Sequence, residues 1–325
     1  MEMSRTMLLD RINWFFSQLP DDIQSPALLC FNADGEAFMS RQLLFAGITA
    51  AHRLRSQNGR DNLVLALVTN AALIDREAAR FLAEHRVSVT VSIDGPPAVT
   101  NRHRRDTAGK PAAQAINAGI SFLKEAGIPL LVRATVTPQT LDSLYSSFRY
   151  LNSLEPASPV KLRPVRSGCD AFAFGWIDAF TDSYIKLAKR LLNEDLPVSA
   201  LPDDIFHMMR FLLEGTKRFP WCAAGDSMLW VRPDGAICAC GLYTGTGSIQ
   251  QPRNRWDEWR SETGIKRFRE EASNLPDSCL SCRWLGACAG GCPAYPAAST
   301  GGHRPLCRLY RELGELCSQH LAGRT

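Results

Sequence analysis

The sequence predicts an α/β fold, with a parallel sheet that is open or rolled into a partial (βα)n barrel, followed by a cysteine-rich domain. Two observations carry this expectation. Short, dense apolar runs alternate with helix-period stretches up to about residue 165. Seven thiols then recur at fixed spacings in the last third of the chain.

The elements follow in order. Residues 4–18 read as an amphipathic helix with Met7, Leu8, Ile12, Phe15 and Phe16 on one side. A Pro/Asp-rich turn precedes the buried-strand pattern of PALLCFN, and a helix is expected from Ser40 to Arg55. The alternation continues as strand 62–68, helix 75–85, strand 87–93, helix 111–126, strand 128–136, helix 139–152 and strand 159–165. Strands separated by helices imply right-handed crossovers and parallel pairing. Helices near 176–194 and 203–214 bridge to the cysteine-rich part, and a last helix spans 306–321 with Cys317 packed on it. The expected domains are residues 1–216 and 217–325.

In such sheets, ligands bind beyond the C-terminal strand ends. Polar or glycine-containing words stand at those places: Ala33-Asp34-Gly35-Glu36, Thr69-Asn70, Ser92-Ile93-Asp94-Gly95-Pro96, and Arg133 with Thr135 and Thr137. Any one of them is an ordinary turn composition. Four in succession at one end of a sheet point to a shared ligand site. Asp94 is the candidate for proton or hydrogen transfer there, beside the alternative of a carboxylate that merely caps a Gly-Pro turn.

The 325 residues, 45% hydrophobic, can bury a sizeable core. A net charge of +4 with dispersed basic residues is no nucleic-acid footprint, and Arg102-His103-Arg104-Arg105 alone does not make one. The longest apolar runs, such as Leu63 to Val68, are too short to span a bilayer. Met1 to Gln18 lacks the apolar middle of a signal peptide. Eleven cysteines without an export signal imply a reducing, cytoplasmic setting rather than disulfides. The six histidines are scattered and give no catalytic pattern. Cys30, within its strand, reads as a packed core thiol.

The thiols run Cys222-x12-Gly235-x4-Cys240, then Cys279-x2-Cys282-x5-Cys288-x3-Cys292, then Cys307 after fourteen residues. Cysteines two apart put both sulfurs on one side of a tight turn, which suits metal ligation. Chemistry alone leaves zinc knuckles and iron–sulfur clusters open.

This pattern, with the words CAAGDSMLWVRPDGAICAC and CLSCRWLGACAGGCP, resembles the SPASM domain of radical S-adenosylmethionine (SAM) peptide and protein maturases of the anaerobic sulfatase-maturase type. The resemblance implies two auxiliary 4Fe–4S clusters, one on Cys222, Cys240 and Cys292 and one on Cys279, Cys282, Cys288 and Cys307. Cys238 or Asp226 is the candidate to complete the first set, and Cys169 is unassigned.

Upstream, ADGEAF is similar to the Gly-Gly-Glu-Pro segment that holds the amino group of SAM, with Asp34 and Ala37 as departures. TNAALID is similar to a Thr-Asn-Gly segment, with Ala71 in place of the glycine. VSIDGPPAVTNRHRR and RATVTP also resemble family segments. The cofactor-binding residues implied are Gly35, Glu36, Thr69, Asn70, Ser92 and Arg133.

The family's Cys-x3-Cys-x2-Cys motif, which carries the SAM-cleaving cluster, is absent. By the resemblance it would fall at or before Met1, so the first strand and cluster loop are expected to be missing, through a misassigned start, a truncated gene or loss of the radical machinery. The expected function is maturation of a peptide or protein side chain by a SAM-derived radical, incomplete or inactive as written, with flavodoxin or ferredoxin as electron donor. The alternative is a non-catalytic iron–sulfur electron-transfer or peptide-binding scaffold.

Overall fold

The structure is a computed structural model. It describes residues 3–20, 22, 24–32, 35–156, 158–165, 175–194, 196–218, 222–241, 258, 261–292 and 305–323. Asp34, Ala33 and Cys169 lie outside the described residues.

Five parallel strands form a curled half-barrel in the order β1 (Ala27–Phe31), β2 (Leu63–Thr69), β3 (Val87–Ser92), β4 (Leu130–Val136) and β5 (Lys161–Pro164). α1 (Arg5–Gln18) precedes β1, and the helices between the strands are α2 (Arg41–Gln57), α3 (Arg76–Glu84), α4 (Pro97–His103), α5 (Ala113–Glu125) and α6 (Leu144–Leu154). The period-2 alternation of the strands decides which side they cover. Leu63, Leu65 and Leu67, then Val87, Val89 and Val91, then Leu130 and Val132 are buried in one core with Ile48, Leu82, Ile116 and Phe148 of the helices. The other face is open. Leu28 is 57% exposed and Val64 47%, and the same row carries Ser92 opposite Arg133 and Thr135 opposite Arg163.

That open face corrects one expectation. Cys30 is exposed and is not a packed core thiol. It lies on the edge strand, in the same alternation as exposed Leu28, and points away from the helical layer. Apolar density identified the strand but not which of its faces would be covered.

Beyond β5 come α7 (Gly175–Asn193) and α8 (Asp203–Glu214), then a small antiparallel hairpin of β6 (Trp230–Val231) and β7 (Ile237–Cys238). The described remainder contains α9 (Thr263–Ser273), α10 (Asp277–Leu280), α11 (Leu285–Cys288) and α12 (Cys307–Ala322). α12 packs against α7 and α8, and the main core continues through Trp284, Leu309, Tyr310, Leu313 and Cys317. Cys317 is fully buried, as its helical position suggests. A second, smaller core gathers Ala224, Ile237, Ala239, Ile265 and Phe268.

The first helix joins the two cores. Arg11 Nε donates to the Gly235 carbonyl at 2.9 Å, and Trp14 packs on the smaller core. Gly235 adopts a φ of +79°, and a Cβ there would meet Met7 Sδ at 2.3 Å. The hairpin turn therefore needs glycine both for its backbone and for its neighbour. Among the described residues, no helix is long and apolar enough to cross a membrane.

Candidate functional site

The C-terminal ends of the strands carry a hydrogen-bonded rim. Glu36 precedes a 3-10 turn, Ala37–Ser40, and its Oε1 accepts from Phe38 N at 3.1 Å. The same oxygen accepts from Thr69 Oγ1 at 2.7 Å, and Oε2 accepts from Asn70 N at 2.7 Å. Three residues singled out in the sequence are thus brought together, and the bonds that do so occupy both oxygens of the carboxylate. Gly35 beside them has open space where a Cβ would stand.

Ala71 follows Asn70 with a φ of +63°, in the left-handed region that costs an L-residue about 1–2 kcal/mol. Glycine is the residue suited to this backbone, so the departure noted in TNAALID falls on a strained position. Gly119 of α5 meets the same loop, where a Cβ would lie 1.9 Å from the Ala71 carbonyl oxygen.

On the adjacent strand, Asp94 is buried just past β3. Arg104 Nε and Nη2 each donate to its carboxylate at 2.8 Å, and Thr135 N donates to Oδ1 at 3.0 Å. Ser92 and Arg133 face each other across β3 and β4. Nearby, His103 Nε2 and Thr137 Oγ1 share a hydrogen bond of 2.8 Å. In this arrangement Asp94 anchors Arg104 and the end of β4, and a proton-transfer role requires it first to release Arg104. Sequence reading named Arg104 in a basic run and at the end of a segment compared with the family's His-Asp-x-x-Arg, without pairing it to Asp94.

A second constellation escaped the sequence entirely. Arg163 of β5 bridges Asp203 and Asp204 of α8, meeting Asp204 Oδ2 at 2.6 Å. Arg218 meets Asp204 Oδ1 at 3.1 Å and Asp203 at 3.4 Å, and His207 Nε2 stands 3.3 Å from Asp203. Tyr310 donates its hydroxyl to Asp204 Oδ1 at 2.6 Å. Burial opposes the charge on Arg163, but Asp204, Tyr310 and Asp203 outweigh it and hold the guanidinium above its ordinary value. Burial would likewise push the Asp203 carboxyl up. His207, Arg163 and Arg218 prevail and keep it well below the usual carboxylate range. Partners up to 106 residues apart leave no local signal.

The cysteines divide into two groups. Cys279, Cys282, Cys288 and Cys307 line one cavity of about 430 Å³, together with Trp284, Gly290 and Tyr310. Short turns place them: Cys279 N bonds to Pro276 O at 2.7 Å and Cys282 N to Cys279 O at 3.0 Å. After Cys288, three consecutive residues in the left-handed region, Ala289, Gly290 and Gly291, turn the chain back. None of the four is in a disulfide. Burial pushes the Cys288 thiol up to about 12, the other three sulfurs add to this, and a backbone N–H from Gly290 opposes it.

Of the remaining candidates, Cys222 is exposed, Cys240 is half-buried against the smaller core, and Cys292 is buried in the main core. None of these three lines the four-thiol cavity. The Cys238 thiol points to the carbonyls of Trp230 and Cys240, and Asp226 pairs with Arg269 at 3.6 Å. Among the described residues, no three His, Cys, Asp or Glu side chains converge as ligands of one ion.

No family model matches the chain. Curated relatives do. A cysteine-type anaerobic sulfatase-maturating enzyme of Clostridium perfringens (strain 13 / Type A) is 22% identical over 315 residues, 87% of this chain and 82% of the relative. A serine-type enzyme of Bacteroides thetaiotaomicron is 21% identical over 275 residues, 74% of this chain and 64% of its own length. The relatives of this chain thus include anaerobic sulfatase-maturating enzymes of both the cysteine and the serine type. The fold is theirs as well. The solved maturase described as native anSMEcpe with bound AdoMet superposes on 99% of this chain and 90% of its own, with a TM-score of 0.77 at 17% identity. A structure of the same maturase with AdoMet and the Kp18Cys peptide also gives 0.77 at 17% identity, covering 99% and 90% of the two chains.

Proposed function

We propose that this chain is a radical SAM maturase scaffold that acts on a peptide or protein side chain and holds iron–sulfur clusters in its C-terminal part. The observation that carries the reading is that four cysteines outside any disulfide, Cys279, Cys282, Cys288 and Cys307, line one cavity. A single zinc needs thiolates converging at about 2.3 Å from one point. Four cysteine sulfurs beside one cavity offer the donor set of either a zinc ion or a 4Fe–4S cluster, and the resemblance of their spacing favours the cluster. The donor chemistry fits, since ligation would also remove the proton that burial keeps on Cys288. Cys222, Cys240 and Cys292 are assigned to a second cluster, on the resemblance of their spacing alone.

When bound and reduced, SAM supplies a 5′-deoxyadenosyl radical that abstracts a substrate hydrogen. The residues assigned to SAM contact are Gly35, Ser92 and Arg133. Glu36, Thr69 and Asn70 are assigned to the same contact, and the Glu36 carboxylate, which also fixes the rim, keeps acceptor capacity for a further donor. A solved neighbour that holds AdoMet and a peptide supports a peptide substrate, which this reading assigns to the sheet's open face. The proposed reductant is flavodoxin or ferredoxin.

The alternative reading is a non-catalytic iron–sulfur electron carrier or peptide-binding scaffold, which the four-thiol cavity supports equally. Iron, sulfide and zinc per chain, on anaerobically purified protein, separate the cases. About eight irons fit two clusters, about twelve fit a further SAM-cleaving one, and zinc without iron removes the cluster reading. Formation of 5′-deoxyadenosine by the reduced protein would exclude the scaffold.

A further inference from the structure

The buried ionic hub touches the four-thiol cavity at one side chain. Tyr310 follows Cys307 by three residues on α12, one turn on, so both side chains fall on the same helix face. Tyr310 lines the cavity while its hydroxyl donates to Asp204. Behind Asp204 stand Arg163 and Arg218, two cations against two carboxylates. Arg218 is tied to the cysteine-bearing segment through its own N–H, which donates to the Gly286 carbonyl at 2.7 Å. Arg163 belongs to the open face of the sheet, opposite Thr135. Three side chains, Tyr310, Asp204 and Arg163, therefore run from the cavity wall to the face assigned to substrate.

We propose that Tyr310, held by Asp204 and the guanidiniums of Arg163 and Arg218, is a positioning residue that sets the reduction potential of a cluster bound by Cys279, Cys282, Cys288 and Cys307. The proposal rests on the iron–sulfur reading of those thiols. Reduction adds negative charge to a cluster, so the potential follows the charge balance and hydrogen bonds around it. With Tyr310 donating and both guanidiniums in place, the Asp204 charge is neutralised close to the cavity. Without the hydroxyl, Asp204 loses one donor, its charge is less compensated, and the reduced state becomes harder to reach.

The test is an anaerobic redox titration, with iron counted on the same samples, of the wild-type chain, Tyr310→Phe and Arg163→Lys. Tyr310→Phe is expected to retain its iron and to titrate at lower potential. Arg163→Lys leaves the cavity wall intact, weakens the two-point contact to the aspartates, and is expected to shift the potential in the same direction by less. If Tyr310→Phe cannot hold iron, Arg163→Lys decides alone. Iron-replete variants that titrate with the wild type overturn the proposal. A wild-type chain that takes up no iron overturns instead the reading on which it stands.

Discussion

Arg104 grips Asp94 at two points, both at 2.8 Å, across ten residues of chain that fold back from β3 through α4. The pair is largely shielded from water, with the Asp94 side chain 4% exposed and Arg104 21%. Removing one partner of such a pair strands the other. Arg104→Ala should therefore cost about 3–5 kcal/mol, because an unpaired buried carboxylate remains. Asp94→Asn should cost less, about 1–3 kcal/mol, since the amide oxygen can still accept from Thr135 N. Urea unfolding of both variants checks this, and the reverse ranking would show that Asp94 is not anchored through Arg104.

Acid should loosen the hub around Asp203. Its folded carboxyl titrates well below the usual range, while the unfolded value is about 3.9. The unfolded chain therefore takes up the proton first as pH falls. This contribution is complete above about pH 4 and disappears at lower pH. Urea midpoints measured from pH 7 down to pH 2 should fall steeply at the acid end. Asp203→Asn should be less stable at pH 7 and show a flatter acid limb. Parallel curves would place the acid sensitivity elsewhere.

Two thiols outside the proposed ligand sets, Cys30 and Cys317, should behave oppositely. Cys30 is exposed on the edge strand, so Cys30→Ser should change stability by no more than about 0.5 kcal/mol. Cys317 is fully buried, and its thiol is pushed up to about 12 by that burial. A serine hydroxyl there meets an apolar surround, and a loss of about 1–3 kcal/mol is expected in the melting curve.

These two residues also show what the sequence could and could not disclose. Strands and helices were legible because apolar residues repeat at period 2 or 3.6, and α8 occupies the expected 203–214. Cys317 was legible because its helix has one apolar stripe. Cys30 was misread because strand composition does not say which face of an edge strand is covered. α4 went unseen because a seven-residue helix after Pro96 is too short to show a period. α9 was overlooked although Ile265 and Phe268 with i,i+4 pairs Lys266–Glu270 and Arg267–Glu271 mark it. At the site, the rim words and the four cavity thiols were visible as local motifs. The Arg163–Asp204–Tyr310 hub was not, since each member is an ordinary residue until the fold unites them.

Gly235→Ala should fail for two separable reasons. The residue needs φ of +79°, and the added methyl collides with Met7. A loss of about 1–3 kcal/mol is expected from overpacking alone. Met7→Ala in the same chain should restore part of it but not the backbone component, giving a non-additive double-mutant cycle. Full additivity would mean that the Met7 side chain moves aside and that the backbone alone carries the loss.

The bond from Arg11 to Gly235 spans 224 residues of sequence. α1 packs on the neighbouring α2 and the main core, which are made soon after it. At a ribosomal pace of about 5–20 residues per second, its second contact, with the hairpin, waits roughly eleven to forty-five seconds more. During that interval Trp14 has no smaller core to pack against, so the joining of the two cores through α1 is a late, long-range event.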